Sequence, residues 1–131
     1  MIHLLDTCAF LRFASQTEGE LGKLARDVLT DENAAVYYSP LTAVEMEFSR
    51  NKKRRAFTGS AIVLIQKIAK EARWKPLSFD DLCAQHIPYL IEANLQDPFD
   101  VMIAATALAH EAILLTCDRK LVEIPELKTL W

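Results

Sequence analysis

Residues 97–121 read DPFDVMIAATALAHEAILLTCDRKL. Asp97 followed by Pro98 is a helix start, with the carboxylate as N-cap and proline at the first helical position. From Val101 to Ala109 every residue is apolar or small. A helix with no polar face is buried, and its N-terminus points past the edge of whatever covers it. The run ILLTC, residues 113–117, is short and apolar, the pattern of a buried strand. Asp118 follows it at once. The stretch therefore predicts a buried helix feeding a buried strand, with carboxylates at the start of the one and just past the end of the other.

Working outward, the same alternation fills the chain. IHLL (2–5) reads as a buried strand. EGELGKLARDVLT (18–30) places Leu21, Leu24, Ala25, Val28 and Leu29 on one stripe of an amphipathic helix. AAVYYS (34–39) is rich in strand formers. Ser39 and Pro40 then open a helix that runs through LTAVEMEFSR toward the basic run RNKKRR. AIVLIQKIAKEA (61–72) is a longer helix, and KPLSF (75–79) a short strand. DDLCAQHIPYLIEAN (80–94) is helical with a kink at Pro88, and LKTLW (127–131) adds a last strand. Strands alternating with helices imply an α/β domain on a mostly parallel central sheet. A length of 131 residues suits one domain, 1–131.

Composition narrows the function classes. Hydrophobic residues at 51% and charged residues at 25% exclude a disordered chain. No run approaches the roughly 18 apolar residues of a membrane span, and Met1 leads into IHLLD without a basic leader. A cytoplasmic location with no membrane partner is expected. Cys8, Cys83 and Cys117 contain no C-x-x-C pair, and His3, His86 and His110 are scattered. Neither a disulfide framework nor a zinc site is expected from such spacing. Net charge is −3, so nucleic acid held by charge alone is excluded; cations must come from a local patch or a metal.

In a parallel sheet, ligands bind outside the carboxyl ends of the strands. Asp6 ends the first strand and Asp118 the ILLTC strand. Asp97 and Asp100 open the buried helix, and Glu45 lies on the first turns of the helix after the second strand. Five acids from four segments can meet at one rim. Each of Asp97, Asp100 and Asp118 also reads as a helix cap or dipole partner, and Glu45 as a solvated helix residue. Asp6 has no comparable structural duty. Two carboxylates 4 Å apart repel by about 4 kcal/mol at an effective dielectric near 20. A cluster therefore calls for protonation or a divalent cation. Oxygen ligands without His or thiolate suit Mg²⁺ or Mn²⁺.

LLDTCAF, SPLTAVEMEF and DPFDVMIAATALAHEAILLTCDRKL, in that order, resemble a PIN domain and, more narrowly, the VapC-like ribonuclease toxins of bacterial toxin–antitoxin pairs. The resemblance spans almost the whole chain. It implies a three-layer α/β/α domain with a mostly parallel sheet of four to five strands, and a metal-dependent endoribonuclease leaving 5′-phosphate and 3′-hydroxyl ends. It makes Asp6, Glu45, Asp100 and Asp118 the catalytic acids that hold Mg²⁺ or Mn²⁺, with Thr7, Asp97 and Thr116 in support. It implies an RNA substrate, a cognate antitoxin and a homodimer. Many relatives carry histidine or asparagine where Cys8 stands, and arginine where Val101 stands. RNA or partner contacts then fall to Arg12, Arg119 or the run Arg50, Lys52, Lys53, Arg54 and Arg55. A catalytically silent PIN-like module that binds RNA or a partner protein is the alternative. A receiver-type signalling domain would need an acid ending a middle strand, where this chain has AAVYYS.

Overall fold

β1 (Ile2–Leu5) occupies the middle of the sheet and explains its construction. Leu4 and Leu5 are both 0% exposed, yet successive strand residues face opposite ways. Leu4 packs with Leu114 in one apolar cluster, and Leu5 with Leu115 in another. A strand buried on both faces is the interior of a parallel sheet covered by helices on either side. The computed structural model describes residues 1–15, 20–51 and 57–131. Its sheet joins β1, β2 (Ala35–Tyr38), β3 (Lys75–Pro76), β4 (Ile113–Leu115) and β5 (Thr129–Leu130) in the order β3-β2-β1-β4-β5, every pair parallel.

One face is covered by α5 (Asp81–Ala84), α6 (Ile87–Glu92) and α7 (Pro98–Ala109). The all-apolar reading of α7 holds: Val101, Ile103 and the four residues from Ala104 to Ala107 are buried. The other face carries α1 (Thr7–Ser15), α2 (Lys23–Thr30), α3 (Pro40–Asn51) and α4 (Ala61–Ala72). There Phe10 of α1 meets the Trp74 ring edge-on, and Met46 and Ile65 fill the layer beneath Leu5. A short α8 (Arg119–Val122) follows β4. The result is the expected α/β/α arrangement, with five strands.

Three elements differ from the sequence reading. The segment after Asp6 forms a helix, α1, that strand-like LLDTCAF concealed. α2 begins only at Lys23, after Gly22, where an added Cβ would lie 2.4 Å from the backbone of Trp131. Within it Ala25 and Leu29 are buried, while Leu24 is exposed. Residues 80–94 form two short helices rather than one kinked helix, because Pro88 opens the first turn of α6 instead of bending a continuous one. Ser39 caps α3 as expected, its hydroxyl accepting the Leu41 N–H at 3.1 Å. Among the described residues no helix is long and apolar enough to cross a membrane.

Parallel strands share one carboxyl edge. Here that edge gathers Asp6 after β1, Ser39 after β2 and Thr116 after β4, and it launches α1, α3 and α8. The Asp6 N–H donates to the Leu115 carbonyl at 3.1 Å, and the Thr116 N–H to the Leu130 carbonyl at 3.1 Å. The tips of β1, β4 and β5 are therefore laced together at the rim.

Candidate active site

Asp6 is 6% exposed and stands one residue before α1, its carbonyl accepting the Phe10 N–H at 3.0 Å. It thus has a backbone duty after all, starting the helix that the sequence did not reveal. Its carboxylate is held by three donors: the Thr7 N–H at 2.8 Å, the Thr116 hydroxyl at 2.7 Å and the Cys8 thiol at 3.4 Å. Burial pushes its pKa up; the donors oppose that rise, and the charge of Asp118 adds to it.

Thr7 and Thr116 tie Asp6 to the other acids. The Thr7 hydroxyl donates to Glu45 Oε1 at 2.8 Å and lies 3.2 Å from the Thr42 hydroxyl. Thr42 and Glu45 are three apart on α3 and so share a face. The wholly buried Thr116 hydroxyl, while donating to Asp6, accepts the Asp118 N–H at 3.1 Å. One hydroxyl therefore fixes two acids from neighbouring segments. Asp118 caps α8 by accepting the Lys120 N–H at 2.9 Å. Asp97 caps α7, accepting the N–H groups of Phe99 and Asp100 at 2.9 and 3.2 Å. Both capping readings hold.

Asp100, half-buried in the first turn of α7, registers the whole group. Its pKa is pushed up to about 7, first by burial and then by the charges of Asp97, Asp6, Asp118 and Glu45. A carboxyl responds to such charges only at short range. Hydrogen bonds through Thr7 and Thr116 thus link Asp6, Glu45 and Asp118 at one rim, and Asp100 responds to their charges. The rim's oxygen-only donors fit a hard divalent cation. Among the described residues, potential ligands meeting within 4.8 Å form a different group, Asp80, Cys83 and His110.

Sequence reasoning missed three residues at this rim. Thr42 could have been found from its position one turn before Glu45. Cys8 and Cys117, whose sulfurs lie 3.8 Å apart, come together only when β1 and β4 pair. Burial and the adjacent Asp6 charge push the Cys8 thiol up, so it remains a neutral donor. The basic residues are distributed unevenly. Arg12 lies over the Trp131 ring, 5.2 Å from its centroid, and donates to the Glu20 carbonyl. Arg50 stacks on Phe57, pairs with Glu47 at 3.2 Å and donates to the Gly59 carbonyl. Arg119 is exposed beside Asp118. Lys52, Lys53, Arg54 and Arg55 lie outside the described residues.

The fold is shared with solved structures at low identity. VapBC2 from Rickettsia felis, bound to a DNA fragment from its promoter, matches with a TM-score of 0.70 and 19% identity, covering 99% of this chain and 98% of that one. VapBC-1 from nontypeable Haemophilus influenzae gives 0.71 and 18%, over 99% and 97%. FitAcB from Neisseria gonorrhoeae gives 0.61 and 19%, over 100% and 97%. No curated protein is a detectable sequence relative. The PIN domain family model matches residues 3–127. With nearly the whole length matched, the chain belongs to the PIN domain family.

Proposed function

We propose that the protein is a metal-dependent endoribonuclease, the toxin of a toxin–antitoxin pair, working in the cytoplasm as a homodimer. The observation that supports this reading best is the hydrogen-bonded rim in which Thr7 holds Asp6 and Glu45 and Thr116 holds Asp6 and Asp118, with Asp100 pushed up to about 7 first by burial and then by the neighbouring carboxylates. Folding brings like charges together at a cost, and in a domain of about 5–15 kcal/mol total stability such a cost needs a function. Asp6, Glu45, Asp100 and Asp118 would hold Mg²⁺ or Mn²⁺. The cation, when bound, neutralises the rim and supplies Lewis acidity toward a phosphodiester and a water.

The chain's own groups do the rest. Thr116 and Thr7 keep the Asp6 and Glu45 carboxylates aimed, and Cys8 donates to Asp6 without adding charge. Asp97 fixes the start of α7 and hence the position of Asp100. Arg119, exposed next to the acids, is the described cation best placed to meet RNA phosphates. Exposed Val44 and Phe48 on α3 and Val63 on α4 offer apolar surface for a second copy or an antitoxin. The similar structures are toxin–antitoxin complexes, which supports an antitoxin partner.

The test is cleavage of a defined RNA by the full-length protein. With Mg²⁺ or Mn²⁺ the RNA is cut to products bearing 5′-phosphates; excess chelator stops cleavage and added Mn²⁺ restores it. RNA bound but left intact in both metals would establish the catalytically silent module instead.

A further inference from the structure

The end of α7 remote from Asp100 carries a second set of metal-binding side chains. Ligand atoms of Asp80, Cys83 and His110 lie within 4.8 Å of one another. Asp97 and His110 cap opposite ends of the 12-residue α7, which at 1.5 Å per residue separates them by roughly 18 Å. The two sets cannot share an ion. Asp80 and Cys83 are three apart on a single turn, Asp80 accepting the Cys83 N–H at 3.2 Å with Oδ1. His110 arrives from α7, 27 residues further along the chain.

Two observations point beyond a cap. The Cys83 thiol is fully buried and meets the Asp80 carboxylate and the Thr106 hydroxyl as well as the Ser78 carbonyl at 3.8 Å, so that sulfur and carboxylate face one another. The His110 ring has a buried nitrogen, Nε2, with no hydrogen-bond partner. A buried polar atom without a partner needs an explanation, and an ion is one. The donor set is also chemically selective. One carboxylate, one thiolate and one imidazole match the ligands of Zn²⁺ and do not match Mg²⁺ or Ca²⁺, which prefer oxygen throughout.

We propose that Asp80, Cys83 and His110 form a Zn²⁺ site in which water completes the tetrahedron on the exposed Asp80 side. The ion would staple α5 to the C-terminal end of α7, the helix whose opposite end sets Asp97 and Asp100. Binding displaces the thiol proton from Cys83. The site is independent of the nuclease reading and would stand if that reading failed.

Co²⁺ is the probe, added without air to the reduced, metal-free full chain. Tetrahedral Co²⁺ on a thiolate gives a sulfur-to-cobalt charge-transfer band and intense visible bands. They saturate at one equivalent, and Zn²⁺ erases them. Cys83→Ser removes the charge-transfer band. His110→Gln, at a partly exposed position, weakens Co²⁺ binding by at least about 10-fold even if the core serine variant folds poorly. The Cys8→Ser/Cys117→Ser double variant and Asp118→Asn retain the bands. Absence of the bands in the wild type, their persistence in Cys83→Ser, undiminished binding in His110→Gln, or their loss in the Cys8/Cys117 variant would each overturn the assignment.

Discussion

Asp118→Asn lowers RNA cleavage by about 10³-fold, equivalent to about 4 kcal/mol of transition-state stabilisation. The same change leaves the fold intact. Asp118 caps α8 through one side-chain oxygen, and asparagine caps as well as aspartate. What the substitution removes is a charge from the rim, where Asp118 acts on both Asp6 and Asp100. Steady-state rates on a defined RNA, together with melting curves in chelator, separate the two effects. The melting temperature does not fall, since a repulsive charge has gone. Asp97→Asn provides the contrast. It too preserves its cap, and Asp97 is exposed, so cleavage drops by less than about 10-fold if that residue positions α7 rather than holding the ion. Undiminished cleavage in Asp118→Asn would place the chemistry elsewhere.

Asp100→Asn raises stability outright, and the sign follows from proton linkage. In the unfolded chain Asp100 ionises near 3.8; in the metal-free fold it ionises near 7. Between those values the folded state binds the proton more tightly. Its contribution is fully present below pH 3.8 and is lost as pH rises toward 7. At full burial that span would be worth about 4 kcal/mol. Asp100 is only half-buried, and solvent screening reduces the figure to about 1–2 kcal/mol. With chelator at pH 8, Asp100→Asn therefore melts roughly 4–8 °C above the wild type, and the gap closes by pH 4. Adding Mn²⁺ at 100 times its Kd gives the wild type about 2.7 kcal/mol and gives the variant far less. Thermal melting across pH, with and without Mn²⁺, reads all of this. An Asp100→Asn variant that is no more stable than the wild type at pH 8 would show that the rim is not strained.

The sequence exposed what periodicity and caps encode. Strands β1, β2 and β4, the caps at Ser39, Asp97 and Asp118, and the buried α7 were all legible, because each is specified by a few neighbouring residues. The acids could be assigned to one rim because parallel strands share a carboxyl edge. α1 was hidden because Leu4, Leu5, Ala9, Phe10 and Leu11 form a nearly continuous apolar run, and Asp6 looks like a strand end when it is also a helix start. The exposure of Leu24 was hidden because a stripe of spacing does not reveal how wide the buried face is. Contacts between distant segments left no local trace: Thr116 bridging Asp6 and Asp118, Cys8 meeting Cys117, and His110 meeting Cys83 all depend on docking. The last of these is invisible to spacing along the chain, because 27 residues separate Cys83 from His110.

Substoichiometric Mn²⁺ added to ¹⁵N-labelled protein tests the central claim most directly, because a paramagnetic ion broadens nearby amide signals steeply with distance. Convergence of the acids predicts that signals of Asp6, Thr7, Asp100 and Arg119 vanish first, while those of Ala35 and Ala109, at the far ends of β2 and α7, persist. Broadening centred on Asp80 and His110, or spread evenly over the molecule, would contradict a divalent-ion site built from Asp6, Glu45, Asp100 and Asp118.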